Sequence, residues 1–177
     1  MVEVHVRRET AADVEAIRAV LAAAFARAGA PPDGIPPEVA LVDDLRAGDA
    51  WLPALSLVAT GTGGDVVGYV LCTRGRVGSA AALALAPLCV HPRHQRRGVG
   101  RALMHTVLGA ADALGEPLVA VLGDPAYYSQ FDFGPAERYG VTAPQPGWRP
   151  HFQVRPLSAY RPALRGRFAY AEPFDRL

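Results

Sequence analysis

The spacing of apolar positions changes several times along the chain, and each change predicts an element. Val2, Val4 and Val6 alternate with Glu3, His5 and Arg7, the period of a strand over residues 2–7. Val14, Ile17, Leu21 and Phe25 then recur at helical spacing, with Thr10 as the cap and Asp13 as its acidic capping-box partner. Residues 30–34, Ala-Pro-Pro-Asp-Gly, read as a loop; Pro37 opens a second helix that reaches about Arg46 and ends at Gly48. Residues 55–60 and 66–73 flank Gly61-Thr62-Gly63-Gly64 as a hairpin. Residues 81–90 make a fourth strand. Leu103, Met104, Val107, Leu108, Ala111 and Leu114 stripe a helix over 101–114, and 118–122 form a short, wholly apolar strand. Asp124-Pro125 gives the cap and first position of another helix. Beyond Gly140 the chain is rich in proline and arginine. Its expected strands are 152–155 and 167–170, and Trp148, Phe152, Leu157, Phe168 and Phe174 argue that it packs onto the rest.

The junction between the fourth strand and the helix after it carries the chemistry. There Gln95-Arg96-Arg97-Gly98-Val99-Gly100 follows a strand closed by His91-Pro92. A glycine-containing turn that opens a helix presents unpaired backbone N–H groups and a positive dipole end, which suit a phosphate. Arg93, Arg96, Arg97 and Arg101 surround it. A phosphorylated ligand is expected here.

Composition removes several alternatives. The 177 residues, with 50% hydrophobic and 20% charged, suit one globular domain over 1–177. A net charge of +1 gives no bulk attraction for nucleic acid or membrane. All 18 basic residues are arginine, and the chain has no lysine and no asparagine. A Walker A loop, a pyridoxal Schiff base and a Cys–His–Asn set are therefore excluded. The bias toward arginine and alanine fits a GC-rich genome. Cys72 and Cys89 fall on adjacent strands without a CxxC pair, so no metal is expected; they read as buried thiols of a reducing compartment. With no signal-like apolar core and no membrane-length run, the expected location is cytoplasmic.

Val90-His91-Pro92 followed by Gln95-x-x-Gly98-x-Gly100 resembles the acetyl-CoA motif, Q/R-x-x-G-x-G/A, of the GNAT N-acetyltransferase superfamily. Tyr127-Tyr128-Ser129-Gln130-Phe131-Asp132-Phe133 is similar to that family's Y-x-x-x-G-F landmark. Leu122-Gly123-Asp124-Pro125-x-Tyr127-Tyr128 resembles the L-G-(D/H)-P-x-Y-Y segment of a bacterial branch. The similarity covers roughly residues 65–135, the expected cofactor core. The resemblance implies an α/β fold with a central mixed, mostly antiparallel sheet flanked by helices and splayed between strands four and five. It implies acetyl-CoA as acyl donor, with the pyrophosphate held across Gln95, Arg96, Arg97, Gly98, Val99, Gly100 and Arg101. It also implies a pantetheine arm beside Leu88, Cys89 and Val90, residues that read equally as strand core. Tyr128 stands where the family has its general acid, five residues before Phe133; a packing aromatic is the alternative. A phenol with a pKa near ~10 is protonated at neutral pH and can donate to a thiolate. Asp132 departs from the family's glycine, and Tyr127 reads as packing.

No base faces out from strand four, which offers Ala82, Leu83, Ala84, Leu85 and Ala86. Asp124 and Glu137 are the nearest acids in sequence, Asp124 also reading as a cap, and a water route is equally open. The acceptor is expected near the second helix, where Glu38, Asp43, Asp44, Asp49 and Trp51 would favour a cation. The expected activity is direct transfer of acetyl to an amine of a small molecule or protein. A non-catalytic acyl-CoA sensor or interaction module on the same fold is the second reading. RNA binding by residues 91–101 is the third, against which stand near-neutral charge and arginines without interleaved aromatics. A homodimer is left open.

Overall fold

The computed structural model describes residues 3–27 and 34–177. Val2 of the first expected strand and residues 30–33 of the expected loop lie outside them. In chain order the elements are β1 (His5–Arg8), α1 (Val14–Ala24), α2 (Pro37–Ala47), β2 (Ser56–Thr60), β3 (Val66–Val77), β4 (Ala80–Val90), α3 (Val99–Ala113), β5 (Leu118–Leu122), α4 (Pro125–Tyr128), β6 (Gly134–Pro135), β7 (Val141–Thr142), β8 (Phe152–Pro156) and β9 (Gly166–Ala169). Short 3₁₀ turns join several of them. The main sheet runs β1-β2-β3-β4-β5-β8-β6, with β9 pairing the far end of β3 and β7 pairing β9. Its pairs are antiparallel except β4 with β5 and β7 with β9. The mixed sheet flanked by helices is the architecture the resemblance implies.

Alternation along the strands sorts the core into two faces. Leu57 and Ala59 of β2, Val70 and Cys72 of β3, and Val119 and Val121 of β5 join Leu103, Met104 and Val107 of α3. Val58, Tyr69 and Leu71 point the other way, onto Ile17, Val20 and Leu21 of α1 and Val42 and Leu45 of α2. Further along that sheet, Ala82, Ala84, Leu118 and Ala120 are covered by Phe152, Val154 and Phe168 of the C-terminal strands. Phe152 and Phe168 beyond Gly140 are thus core, and Trp148, Tyr170 and Phe174 pack partly buried against it. The two-residue strands β6 and β7 have no sequence period to announce them.

One irregularity positions the site. Against β3, Val70 pairs with Leu88 and Cys72 with Leu85, so two steps on β3 meet three on β4. This bulge at Ala86-Pro87 reverses the alternation of everything after it. Leu83 and Leu85 face α3, and so do Leu88 and Val90, while Cys89 turns toward α1. Cys72 and Cys89 therefore lie on opposite faces of the sheet and are both buried and free. Pairing with β5 is confined to Leu83↔Val119 and Ala84↔Ala120. Beyond Ala84 the two strands part.

A buried polar knot ties β2 and β3 to α2. Ser56 Oγ donates to Glu9 Oε2 at 2.6 Å and lies 2.8 Å from Tyr69 Oη. Arg46 of α2 grips the same carboxylate through Nε (2.8 Å) and Nη2 (3.2 Å). Glu9 is 8% exposed in its side chain, so removing it takes the partner of Arg46 Nε and Nη2 and leaves that half-buried guanidinium only Asp43. Glu9→Ala is expected to lower unfolding free energy by about 3 kcal/mol in urea titrations; a loss below about 1 kcal/mol would show that the knot is not a buried pair in the energetic sense.

Candidate functional site

The split between β4 and β5 opens into a cleft of about 630 Å³ bounded by the tail of β4, the start of α3, α4 and the end of α1. Leu88, Cys89, Val90, Gln95, Arg96, Gly98, Gly100, Arg101 and Tyr128 all line it. Arg97 and Val99 do not: Val99 is 2% exposed, packed into the core beneath α3, and Arg97 projects to solvent. Ala24 and Phe25 of α1, Tyr127 and Gln130 also line the cleft, and sequence reasoning did not place them there. Phe25 belongs to the apolar stripe of α1, which gave no sign that its last turn meets an open space.

The turn before α3 is built for an anion. Arg96 (φ 59°) and Gly98 (φ 87°) are both left-handed, and Gly98 takes that form without a Cβ penalty. The helical ladder starts with Ala102 N–H to Gly98 O at 3.0 Å, so the N–H groups of Val99, Gly100 and Arg101 precede it. A Cβ on Gly100 would sit 2.9 Å from Tyr127 Oη, so the backbone is exposed there only because the residue is glycine. Gln95 Nε2 donates to Val90 O at 3.1 Å and fixes the strand exit against the turn. Arg93, Arg96, Arg97 and Arg101 have no ion-pair partner among the described residues, and no carboxylate lines the cleft. The charged side chains lining it, among the described residues, are Arg96 and Arg101.

Tyr128 closes the other end. Its ring packs edge-on against Tyr127 (5.0 Å between centroids) and Phe133 (5.6 Å). Burial pushes its pKa up, with lesser contributions from Tyr127 and Cys72, so the phenol keeps its proton through the physiological range. Tyr127, read from sequence as packing, also reaches the cleft wall, where its hydroxyl lies over Gly100. Burial likewise raises the Cys89 thiol to about 12, too high to serve as a nucleophile at neutral pH. Asp132 is left-handed (φ 63°), the conformation glycine adopts most easily and aspartate tolerates, so the turn keeps its shape despite the departure.

The candidate bases lie elsewhere. Asp124 caps α4, accepting from Ala126 N–H at 2.9 Å, and Glu137 pairs with Arg149 at 2.8 Å. The acidic patch expected around α2 is half neutralised, since Asp43 and Asp44 are ion-paired while Glu38 and Asp49 have no ion pair among the described residues. Asp43 is bound by Arg18 and Arg46, both at 3.0 Å, Asp44 by Arg176 at 2.8 Å, and Trp51 carries the Arg46 guanidinium 5.3 Å from its ring. A second cavity, of about 670 Å³, does border the split: Ala86 of β4 and Leu122 of β5 line it together with residues of the C-terminal segment.

Residues 17–128 match the Acetyltransferase (GNAT) family. The chain belongs to the GNAT family. It is similar to the N-acetyltransferase YhbS of Escherichia coli, 35% identical over 142 residues, which cover 78% of this chain and 84% of that protein. The N-acetyltransferase YjhQ of the same species is 35% identical over 148 residues, 79% of this chain and 81% of its own. Among solved structures, Escherichia coli YhbS in complex with CoA superposes with a TM-score of 0.88 at 30% identity, covering 100% of this chain and 94% of that one. A GNAT acetyltransferase from Brucella melitensis in complex with acetyl-CoA gives 0.77 at 29% identity, over 99% and 100%. As a GNAT member the chain is an acetyl-CoA-dependent N-acetyltransferase.

The placement of Tyr128 rests on a glycine outside the turn. A Cβ on Gly123 would fall 2.4 Å from Tyr128 Cε2. Gly123→Ala is expected to displace the tyrosine ring and to cost roughly 1–3 kcal/mol of stability, read by chemical denaturation and by the Tyr128 ring signals in NMR. Unmoved ring signals would show that Gly123 does not set the ring.

Proposed function

We propose that the cleft at the split is the donor site and that Tyr128 is the general acid of a direct acetyl transfer to an amine. One observation carries the reading: the tail of β4 leaves β5 at the same place where unpaired N–H groups, free arginines and a protonated phenol converge. The complexes of the Escherichia coli and Brucella relatives with CoA and acetyl-CoA support the choice of ligand.

In this reading Gly98, Val99, Gly100 and Arg101 offer backbone N–H groups to the pyrophosphate, and Gly100 permits its close approach. Gln95 holds the strand exit, and Arg96, Arg97 and Arg101 add charge, Arg97 from the solvent side. Leu88, Cys89 and Val90 offer the free edge of β4 to an extended amide-bearing arm. Acetyl-CoA supplies the activated thioester. Tyr128 gives its proton to the departing sulfur as the new C–N bond forms, and remains hydrogen-bonded to it afterwards. Among the described residues no acid or histidine lines the cleft, and in this reading the amine's protons leave through water, one of them returning to the Tyr128 phenolate. The acceptor, an amine of a small molecule or protein, enters through the cavity bordered by Ala86 and Leu122.

The reading covers one domain over residues 1–177 in a bacterial cytoplasm, where both thiols stay reduced; a homodimer is compatible with it. It favours the enzyme over a passive acyl-CoA sensor, because a half-buried tyrosine that keeps its proton stands at the cleft wall, where a departing thiolate would need one. Tyr128→Phe removes only the acidic proton. Thiol release with a saturating amine is expected to fall about 100-fold in kcat, with acetyl-CoA affinity held within about twofold. Equal turnover by the variant would remove Tyr128 from the chemistry.

A further inference from the structure

The second cavity has a chemistry of its own. Trp148, Tyr170 and Phe174 wall it, with Trp148 and Tyr170 edge to face at 6.2 Å and Tyr170 tilted on Phe174 at 4.8 Å. The large hydrophobic side chains left exposed among the described residues are Ile35, Leu114, Leu122 and Leu177, and the last two line this cavity. Leu122 is 40% exposed at the end of a strand that is otherwise buried. Apolar side chains gathered around one open space call for an apolar guest.

The charges beside these rings are unequal in commitment. Arg167 donates to the Pro144 carbonyl. Nearby, Arg176 takes both Asp44 and Glu172 at 2.8 Å. Asp175 lines the cavity and has no ion pair among the described residues. Arg167 and Asp175 are thus both without an ion pair among the described residues, and the carboxylate is set among aromatic faces that attract cations themselves.

We infer that this cavity selects a primary amine on an apolar or aromatic body, the arylalkylamine class, with Asp175 receiving the ammonium and Trp148 and Phe174 holding the body. The inference rests on the acetyl-transfer reading and specifies which amine that reaction takes. The ammonium loses one proton to water, its nitrogen bonds the acetyl carbon, the C–S bond breaks as the sulfur takes the Tyr128 proton, and the second proton lost by the nitrogen returns through water to the Tyr128 phenolate. Short polar amines lack the body that Trp148 and Phe174 hold, so they are poor acceptors.

The test compares thiol release with 2-phenylethylamine, ethanolamine and glutamate, in the wild type, Trp148→Ala, Trp148→Phe and Asp175→Asn. The wild type is expected to favour 2-phenylethylamine at least tenfold in kcat/KM. Its KM should rise about tenfold in Trp148→Ala and about threefold in Asp175→Asn, and stay close to wild type in Trp148→Phe, with the acetyl-CoA KM unchanged throughout. Equal efficiency with ethanolamine, or a KM unmoved by both Trp148→Ala and Asp175→Asn, would overturn the inference. Calorimetric titration of 2-phenylethylamine into CoA-saturated protein separates the two levels. No binding there overturns the inference even without turnover, whereas no binding of CoA itself removes the acetyl-transfer reading.

Discussion

A parallel pair of strands that starts together and then separates leaves hydrogen-bonding backbone without a partner, and the rest of this molecule is arranged around that separation. β4 and β5 share only two paired positions, Leu83↔Val119 and Ala84↔Ala120. Past them the outer edge of β4 has no strand beside it. Unpaired backbone groups in a half-buried cleft are costly unless water or a ligand meets them. Pro87 contributes no N–H, and the bulge it shares with Ala86 turns Leu88 and Val90 to the face where Leu83 and Leu85 already point. An extended, amide-bearing ligand arm is the partner whose chemistry matches such an edge.

The scaffold on either side is rigid for reasons independent of the cleft. β3 is sandwiched between α3 on one face and α1 and α2 on the other, and its neighbour β2 is buried along its whole length. The Glu9–Arg46–Ser56–Tyr69 knot locks α2 to that central pair. α3 buries Leu103, Met104 and Val107 completely, so its first turn cannot drift from the end of β4. A fixed distance between the helix start and the strand edge is what lets one ligand be held at its pyrophosphate and its arm together.

Much of this was legible because local rules decide it. The capping pair Thr10 and Asp13, the stop of α2 at Gly48, the start of α4 at Asp124-Pro125 and the glycine turn before α3 are each settled by neighbours a few residues away. Cys72 and Cys89 were correctly expected to be buried thiols, but their opposite faces follow from a bulge that the apolar run 80–90 does not reveal. Side-chain direction was the weak point. Tyr127 reaches Gly100, Phe25 reaches the cleft, and Val99, part of the motif, turns into the core. The aromatic cavity was hidden because it is assembled from residues between Pro144 and Leu177, far from Ala86 and Leu122 in sequence and with strands too short to show a period. The pairing of Asp43 and Asp44 on α2 was hidden for a related reason: their arginine partners Arg18 and Arg176 come from distant segments.

The central claim is that the free edge of β4 takes the donor's arm as a substitute strand. Amide hydrogen exchange measured with and without CoA addresses it residue by residue. The account predicts new protection at Leu88 and Val90, whose N–H groups face the open edge, and in the first turn of α3, with β1 and β2 unchanged. Protection in the α3 turn alone, leaving the tail of β4 as exchangeable as before, would contradict it.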